Sequence, residues 1–402
     1  MVLPHVSDAQ RRVRLGVRHR LAVAARTDDL ATIADSVVAV HSTDPATVYL
    51  SLGARMTTPS LTAVSDGLHD TRSLVRHHGM RRTLWVGTPA TVRTMHGACT
   101  VDIAATEWDR LAKWVTATGI EHPREWIAQL SDATLAAVHR LGPCSARQLG
   151  KAVPELTTKI QVGAGKFSLP QSAHTRLLLN LGFDGTLVRT APTGSWVSSE
   201  YRWSVTTDWL PDGIAGADPT DARTALVAQY VREFGPVTTA DVQWWTGWSV
   251  GPTRAALAAC DAMEVSLDGG HTGWMLPDDV GAVHGLGAVN DDEPWVALLP
   301  SLDSTAMGWK QREWYLGEWA AFGGPLFDTN GNVGPTVWVN GEVVGGWAQR
   351  RDGRVVHELL RPVGPATRRA IDDAAQQTQA LIGDARVSPR FPTPLQKALA
   401  AG

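Results

Sequence analysis

The sequence predicts an α+β fold built from repeated helix–turn–helix–hairpin units and closed by a small β-rich C-terminal unit. Three observations carry this. First, two segments echo each other, Leu141-Gly-Pro-Cys-Ser-Ala-Arg-Gln-Leu149 and Phe234-Gly-Pro-Val-Thr-Thr-Ala-Asp-Val242. Each is an apolar residue, a Gly-Pro break that ends a helix, then a Ser or Thr placed to cap the next amphipathic helix. Second, each echo is followed by another helical pattern and then by a hairpin signal, Pro192-Thr193-Gly194 in the earlier copy and Asp268-Gly269-Gly270 in the later. Third, Asn340-Gly341 lies between alternating apolar runs, the strongest short-range sign of a two-residue type I′ hairpin. Helix, turn, helix, hairpin is the order of a winged helix.

In chain order, the first hundred residues read as helices at 8–20, 28–40 and 45–55, followed by a strand at 82–86. The earlier copy has a helix at 145–152 capped by Ser145, a longer link, a helix at 171–182 and a hairpin over 185–204. The later copy has a short helix capped by Thr239, a second helix over 252–263 with Pro252 in its first turn, and a hairpin over 264–276. Residues 333–347 form the Asn340-Gly341 hairpin, and 348–360 add another at Asp352-Gly353. A helix at 365–382 and a proline-punctuated tail complete the chain. The units divide at 1–120, 121–215, 216–285 and 286–402.

Composition excludes several classes. With 44% hydrophobic and 19% charged residues, the 402-residue chain is globular. The balance of 37 basic against 40 acidic residues, net −3, excludes a globally basic protein. Three distant cysteines (Cys99, Cys144, Cys260) exclude a Cys-x-x-C zinc site, an iron–sulfur cluster and a disulfide scaffold. No apolar run reaches the roughly 18–20 residues of a membrane span, and the N-terminus lacks a signal-peptide core. The expectation is a soluble, cytoplasmic protein. The 13 histidines show no i, i+4 pair on a credible helix, and no glycine-rich phosphate loop stands out, so neither metal nor cofactor is expected.

Charge is nevertheless uneven. Residues 1–100 carry 12 basic against 7 acidic side chains, and 101–300 carry 14 against 23. Two stretches, 9–26 and 71–96, hold arginines and no acid at all. With 31 Arg against 6 Lys, they read either as a solvated basic face or as a polyanion-binding one, since the guanidinium fork suits phosphate. The 17 tryptophans are mostly core, with a few available to stack on bases.

The chain resembles the bacterial winged-helix family that includes the DNA glycosylases AlkZ and YcaQ (AlkX). The blocks that carry the likeness are His41 to Arg55, Met80 to Trp85, Gly235 to Gly247, Leu299 to Arg312 and Pro335 to Trp347. The resemblance implies three tandem winged helices around a concave DNA channel, plus the C-terminal β unit. Characterised members carry a glutamine, any residue, then glutamine or aspartate before the helix corresponding to 45–55; here those positions are His41 and Thr43.

N-glycosidic hydrolysis needs an accessible base that leaves stably, stabilisation of positive charge on the sugar, and a placed water. His41 can serve as a base near neutral pH or be a semi-buried histidine. Thr43 can hold the water or bond its own backbone. Asp44 can orient His41 and stabilise the sugar, or be an N-cap with Pro45 at the first helical position. Arg81 and Arg82 contact phosphates or flank a strand. Asn340 and Gly341 form a ribbon that enters a groove or a mere sheet edge, with Arg350 and Arg351 following the groove. Asp303 is a cap or a channel acid. The motif block holds no lysine for a Schiff base. The expected function is therefore a monofunctional DNA glycosylase, a monomer acting on damaged double-stranded DNA. The rivals are a non-catalytic winged-helix DNA-binding or regulatory protein, and a protein-binding scaffold favoured by the acidic centre.

Overall fold

The computed structural model describes residues 3–163, 165–285, 294–321 and 324–401. It is an α+β chain. Near the N-terminus, helices Asp8–Arg18, Leu30–Asp35, Pro45–Gly53 and Leu61–His69 surround an antiparallel sheet. Its strand order is Val40–His41, Leu84–Gly87, Val75–His78. The helix expected over 28–40 is shorter. It ends at Asp35, Val38 adopts φ 61°, and the chain becomes a strand in which His41 faces Trp85 in register.

The Gly-Pro echoes both open helices. Ser145 caps Ala146–Ala152 in a capping box with Gln148. In the later copy Thr238, not Thr239, caps Thr239–Thr246, because Asp241 then falls at the third helical position and closes the box. The second helix of each pair is Ala173–Phe183 and Val250–Ala259. The hairpins that follow are Leu187–Pro192 with Tyr201–Val205, and Met263–Leu267 with Thr272–Met275. A further hairpin, Lys159–Val162 with Leu169–Ser172, fills the longer link of the earlier copy. The C-terminal unit is a four-stranded antiparallel meander over Val296–Leu299, Thr336–Val339, Glu342–Gln349 and Val355–Leu359. Helix Pro365–Ile382 buries Ile371, Ala375 and Ile382 against it.

One large core runs from the N-terminal region through helix Pro219–Phe234 to the C-terminal meander. An unbroken aromatic series threads it, from Trp85 through Trp245, Tyr230, Phe234, Trp309, Trp314 and Tyr315 to Trp338, with successive centroids 4.4–6.1 Å apart. No tryptophan is exposed, so the unusual tryptophan content belongs to packing. Residues 111–205 contribute a second, separate core around Leu149, Leu177 and Leu187.

Burial also neutralises histidines. It is the first cause that pushes His19, His41 and His77 down to about 3 and His69 to about 4. The unfolded chain titrates them near 6.5, so below that pH it binds protons the folded state refuses. The histidine contribution to stability is thus full above about pH 7, while Glu233, raised to about 7 by burial, opposes it in part. It should fall on acidification by up to about 1.4 kcal/mol per pH unit for each such histidine. The urea midpoint should drop steeply between pH 6.5 and 5; a constant midpoint over that window would contradict the burial of these rings.

Candidate active site and nucleic-acid interface

The site is built where the blocks that carried the resemblance meet. Strand Val40–His41 pairs with Val86 and Trp85, and the Ser42 amide donates to the Leu84 carbonyl at 2.7 Å. The next residues turn sharply into helix Pro45–Gly53. The His41 amide donates to the Ser304 hydroxyl at 3.3 Å, and Thr47 Oγ1 donates to the Ser301 carbonyl at 2.7 Å. The loop 299–312 thereby supports the turn from below. Segment 235–247 closes the side, with Trp245 against Trp85 and Gly247 against Arg81.

His41 is 3% exposed and packs edge-on to Trp85 at 4.8 Å. Its Nδ1 accepts the Thr43 amide at 3.3 Å, which places the proton of the neutral ring on Nε2. Burial first, and the charge of Arg81 second, hold its pKa at about 3. A base titrating near neutrality is therefore not what the turn contains. It holds a neutral imidazole whose Nε2–H is a hydrogen-bond donor. Thr43 beside it is half-buried.

Asp44 is fully committed. Its Oδ1 accepts the Ala46 amide at 3.1 Å as the helix N-cap, and its Oδ2 accepts the Arg390 amide at 3.0 Å. Burial raises its pKa, against the pull of those two bonds. No bond runs from it to His41, so the orienting role expected of it is not seen; capping is.

Arg81 and Arg82 both adopt left-handed backbone, φ 53° and 63°, in the tight link between two strands. Such conformations cost roughly 1–3 kcal/mol each in a non-glycine residue and cluster at functional sites. The Arg81 guanidinium lies 4.3 Å over Trp244, and Arg312 lies 4.8 Å over the same ring. Burial, then Arg312, lowers the Arg81 pKa to about 10, and its Nε is enclosed without a partner among the described residues. Arg82 behaves differently. It pairs at 2.5 Å with buried Glu107, which also holds Arg110 at 2.6 Å. Its charge is used to fasten the turn to helix Val101–Ala117.

Two further expectations need correction. Asn340-Gly341 does form the left-handed turn, φ 50° and 88°, but the turn does not project. Gly341 is buried against the Arg12 backbone, where an added Cβ would sit 2.6 Å from Arg12 Cβ. Asn340 Oδ1 accepts the Trp295 amide at 3.0 Å, and neighbouring Glu342 pairs with Arg12 at 2.6 Å and Arg361 at 2.8 Å. This end of the ribbon is the closed end of the sheet's central hairpin, sealed by the N-terminal helix. The other end, about 25 Å away along an eight-residue strand, carries Arg350 and exposed Arg351. They line a cleft of about 810 Å³ with Arg354, Arg386 and Lys397. Asp303 is neither cap nor channel acid: it is fully buried and paired bidentately with Arg55.

Sequence reasoning missed Arg189, Arg312, Trp244 and Tyr201. Arg76, inside the acid-free stretch, donates from Nε to Ser42 Oγ at 2.9 Å and lies 4.5 Å over Tyr201, with Arg189 on the same ring at 5.9 Å. Elsewhere buried arginines meet carboxylates, Arg14 with Asp279 at 2.9 Å and Arg55 with Asp303 at 2.8 Å. Around the 41–44 turn, Arg76, Arg81 and Arg189 form no ion pair with any described carboxylate. Each lies instead against an aromatic ring, Arg81 on Trp244 and Arg76 and Arg189 on Tyr201. Among the described residues, no three His, Cys, Asp or Glu side chains gather to hold a metal, and no helix is long and apolar enough to cross a membrane.

A chain with unpaired arginines around a polar turn, on a mixed scaffold of helix pairs and hairpins, has the features of a nucleic-acid-binding protein. The chain belongs to the AlkZ-like DNA glycosylase family, whose description, "DNA glycosylase AlkZ-like", matches residues 34–381. Among solved structures it is similar to Streptomyces sahachiroi DNA glycosylase AlkZ. The TM-score is 0.69 at 16% identity, over 96% of this chain and 99% of that one, a likeness of fold. No curated protein sequence matches it.

Proposed function

We propose that the chain is a monofunctional DNA glycosylase, acting as a cytoplasmic monomer on damaged duplex DNA. In this reading its helix–turn–helix–hairpin units, divided at 120, 215 and 285, are three winged helices around a channel that opens on the 41–44 turn. The observation that carries it is the neutral His41 beside half-buried Thr43, with Arg81 acting on the ring and Arg76 bonded to Ser42, neither paired with a described carboxylate.

The chemistry follows from what the turn holds. The C1′–N bond breaks with both electrons leaving on the base. Water then bonds to C1′ and releases its proton to solvent. His41 Nε2–H and the Thr43 hydroxyl hold that water. With the histidine at about 3 and both Asp44 oxygens engaged, no strong base is present. Such a site suits a base that already carries positive charge, such as an N7-alkylated guanine, over neutral uracil or hypoxanthine. Arg81 answers a backbone phosphate. The same lack of a base favours one second reading, a DNA-binding protein without catalysis.

The test is incubation with duplexes carrying N7-alkylguanine, an interstrand crosslink, uracil or hypoxanthine, scoring strand breakage after alkali. Breakage at the alkylated site is expected. Binding without breakage on any of them would leave the non-catalytic reading. Arg81→Gln should weaken duplex binding and flatten the dependence of log K on log salt by about one. Arg82→Gln should change binding less and stability more, because its guanidinium is held by Glu107. Equal binding losses in the two would contradict this division.

A further inference from the structure

We propose that the cleft between strand Tyr201–Val205 and the segment around Arg147 is a second phosphate site, gripping a phosphodiester of the strand that passes the 41–44 turn. This rests on the glycosylase reading and adds to it a contact outside the reacting nucleotide.

The cleft has a volume of about 460 Å³, and Arg147, Arg189, Thr193 and Tyr201 line it. Arg189 is the centre. It comes from strand Leu187–Pro192 and lies 5.0 Å over Trp203 and 5.9 Å over Tyr201. Among the described residues its Nε is enclosed without a hydrogen-bond partner, and it makes no ion pair with a carboxylate. The two rings hold the guanidinium in the cleft lining, and a guanidinium fork matches the oxygens of a phosphate. Arg147, also in the lining, is exposed, and the one acid there, Glu200, is exposed and takes a hydrogen bond from Thr193 Oγ1 at 3.3 Å.

The cleft is also tied to the candidate site. Arg76 bridges them, bonded to Ser42 Oγ on one side and stacked on Tyr201 on the other. Burial is the first reason the Arg189 pKa is lowered to about 10; Arg76 and Arg390 add to it, while Tyr201 opposes. Arg189 thus feels the repulsion of two further arginines that lie outside the cleft lining. An anion bound there relieves that repulsion, and a strand running past Ser42 delivers one.

The experiment uses the full chain and a duplex with a central tetrahydrofuran abasic-site analogue. A neutral methylphosphonate is moved one linkage at a time on either side. Arg189→Gln should lower affinity about tenfold and flatten the salt slope by about one. One or two methylphosphonate positions that weaken the wild type should cost nothing more in Arg189→Gln. Exposed Arg147→Gln should show the same pattern more weakly, and it carries the test if Arg189→Gln does not fold. Unchanged affinity and slope, or methylphosphonate penalties that persist undiminished in both variants, would overturn the cleft alone. A wild type that binds no duplex would remove the glycosylase reading, and this site with it.

Discussion

Asp303→Ala should cost about 3–5 kcal/mol of folding stability, the range for removing one partner of a buried ion pair. Arg55 and Asp303 are both fully enclosed. Asp303 accepts from Arg55 Nη1 at 2.9 Å and Nη2 at 2.8 Å, from Ser51 Oγ at 2.6 Å and from the Thr305 amide at 2.9 Å. Arg55 spends its remaining donors on the His19 and Ser51 carbonyls and on Thr305 Oγ1. Burial alone would raise the Asp303 pKa; the Arg55 charge and these bonds override it and hold the group below the usual carboxylate range. For a depressed carboxylate the stabilisation is complete above about pH 4 and is lost only as pH falls through the folded value. The mutational cost should therefore be constant from pH 7 to 8, where the buried histidines are also neutral. The paired change Asp303→Leu with Arg55→Met should recover most of the loss, because two apolar side chains leave no stranded charge. Urea midpoints at unchanged slope measure both. A single-mutant cost below about 1 kcal/mol would show that water reaches Arg55.

What was legible in the sequence was local. Asn340-Gly341 announces its turn through backbone preference, and the helix over 365–382 shows its stripe within itself. Ser145 and Gln148 state their capping box three residues apart. What failed was decided at a distance. Strand Val40–His41 is two residues long, too short for alternation, and exists because Trp85 and Val86 pair with it. The turn chemistry of Asn340-Gly341 could not reveal that Arg12, more than three hundred residues earlier, would cover it.

The candidate site divides the same way. The acid-free stretch 71–96, which also contains Arg76, pointed to Arg81 because a missing counter-charge is visible in sequence when the whole neighbourhood lacks one. It also pointed to Arg82, whose pairing with Glu107 from the next helix the stretch does not record. Arg189 and Arg312 sit in stretches without that signal, and only tertiary packing brings them to Tyr201 and Trp244. The tautomer and low pKa of His41 likewise depend on burial and on Arg81, neither of which a four-residue motif records.

That electrostatic setting fixes the largest expected effect on activity. His41→Ala should slow single-turnover base release by ~10²-fold, the reach of one placed group, with duplex affinity nearly unchanged, because the interaction is made in the transition state. The rate should be flat from pH 6.5 to 8, since an imidazole held at about 3 is neutral throughout. A rise with a midpoint near 6.5 would restore the general-base role and contradict the burial. His41→Gln separates the two roles. An amide keeps an N–H donor and cannot act as a base at these pH values. It should retain most of the rate if the ring only holds water, and should fall with His41→Ala if the ring moves a proton. Thr43→Val removes a second hold on the same water and should cost less. Asp44→Asn still caps the helix, and because both carboxylate oxygens face backbone amides, it should lose at most about 1–2 kcal/mol of stability while remaining active. A stable, inactive Asp44→Asn would instead assign the carboxylate to the cationic sugar. Wild-type rates in His41→Ala on every lesion cleaved would end the assignment of this turn as the catalytic one.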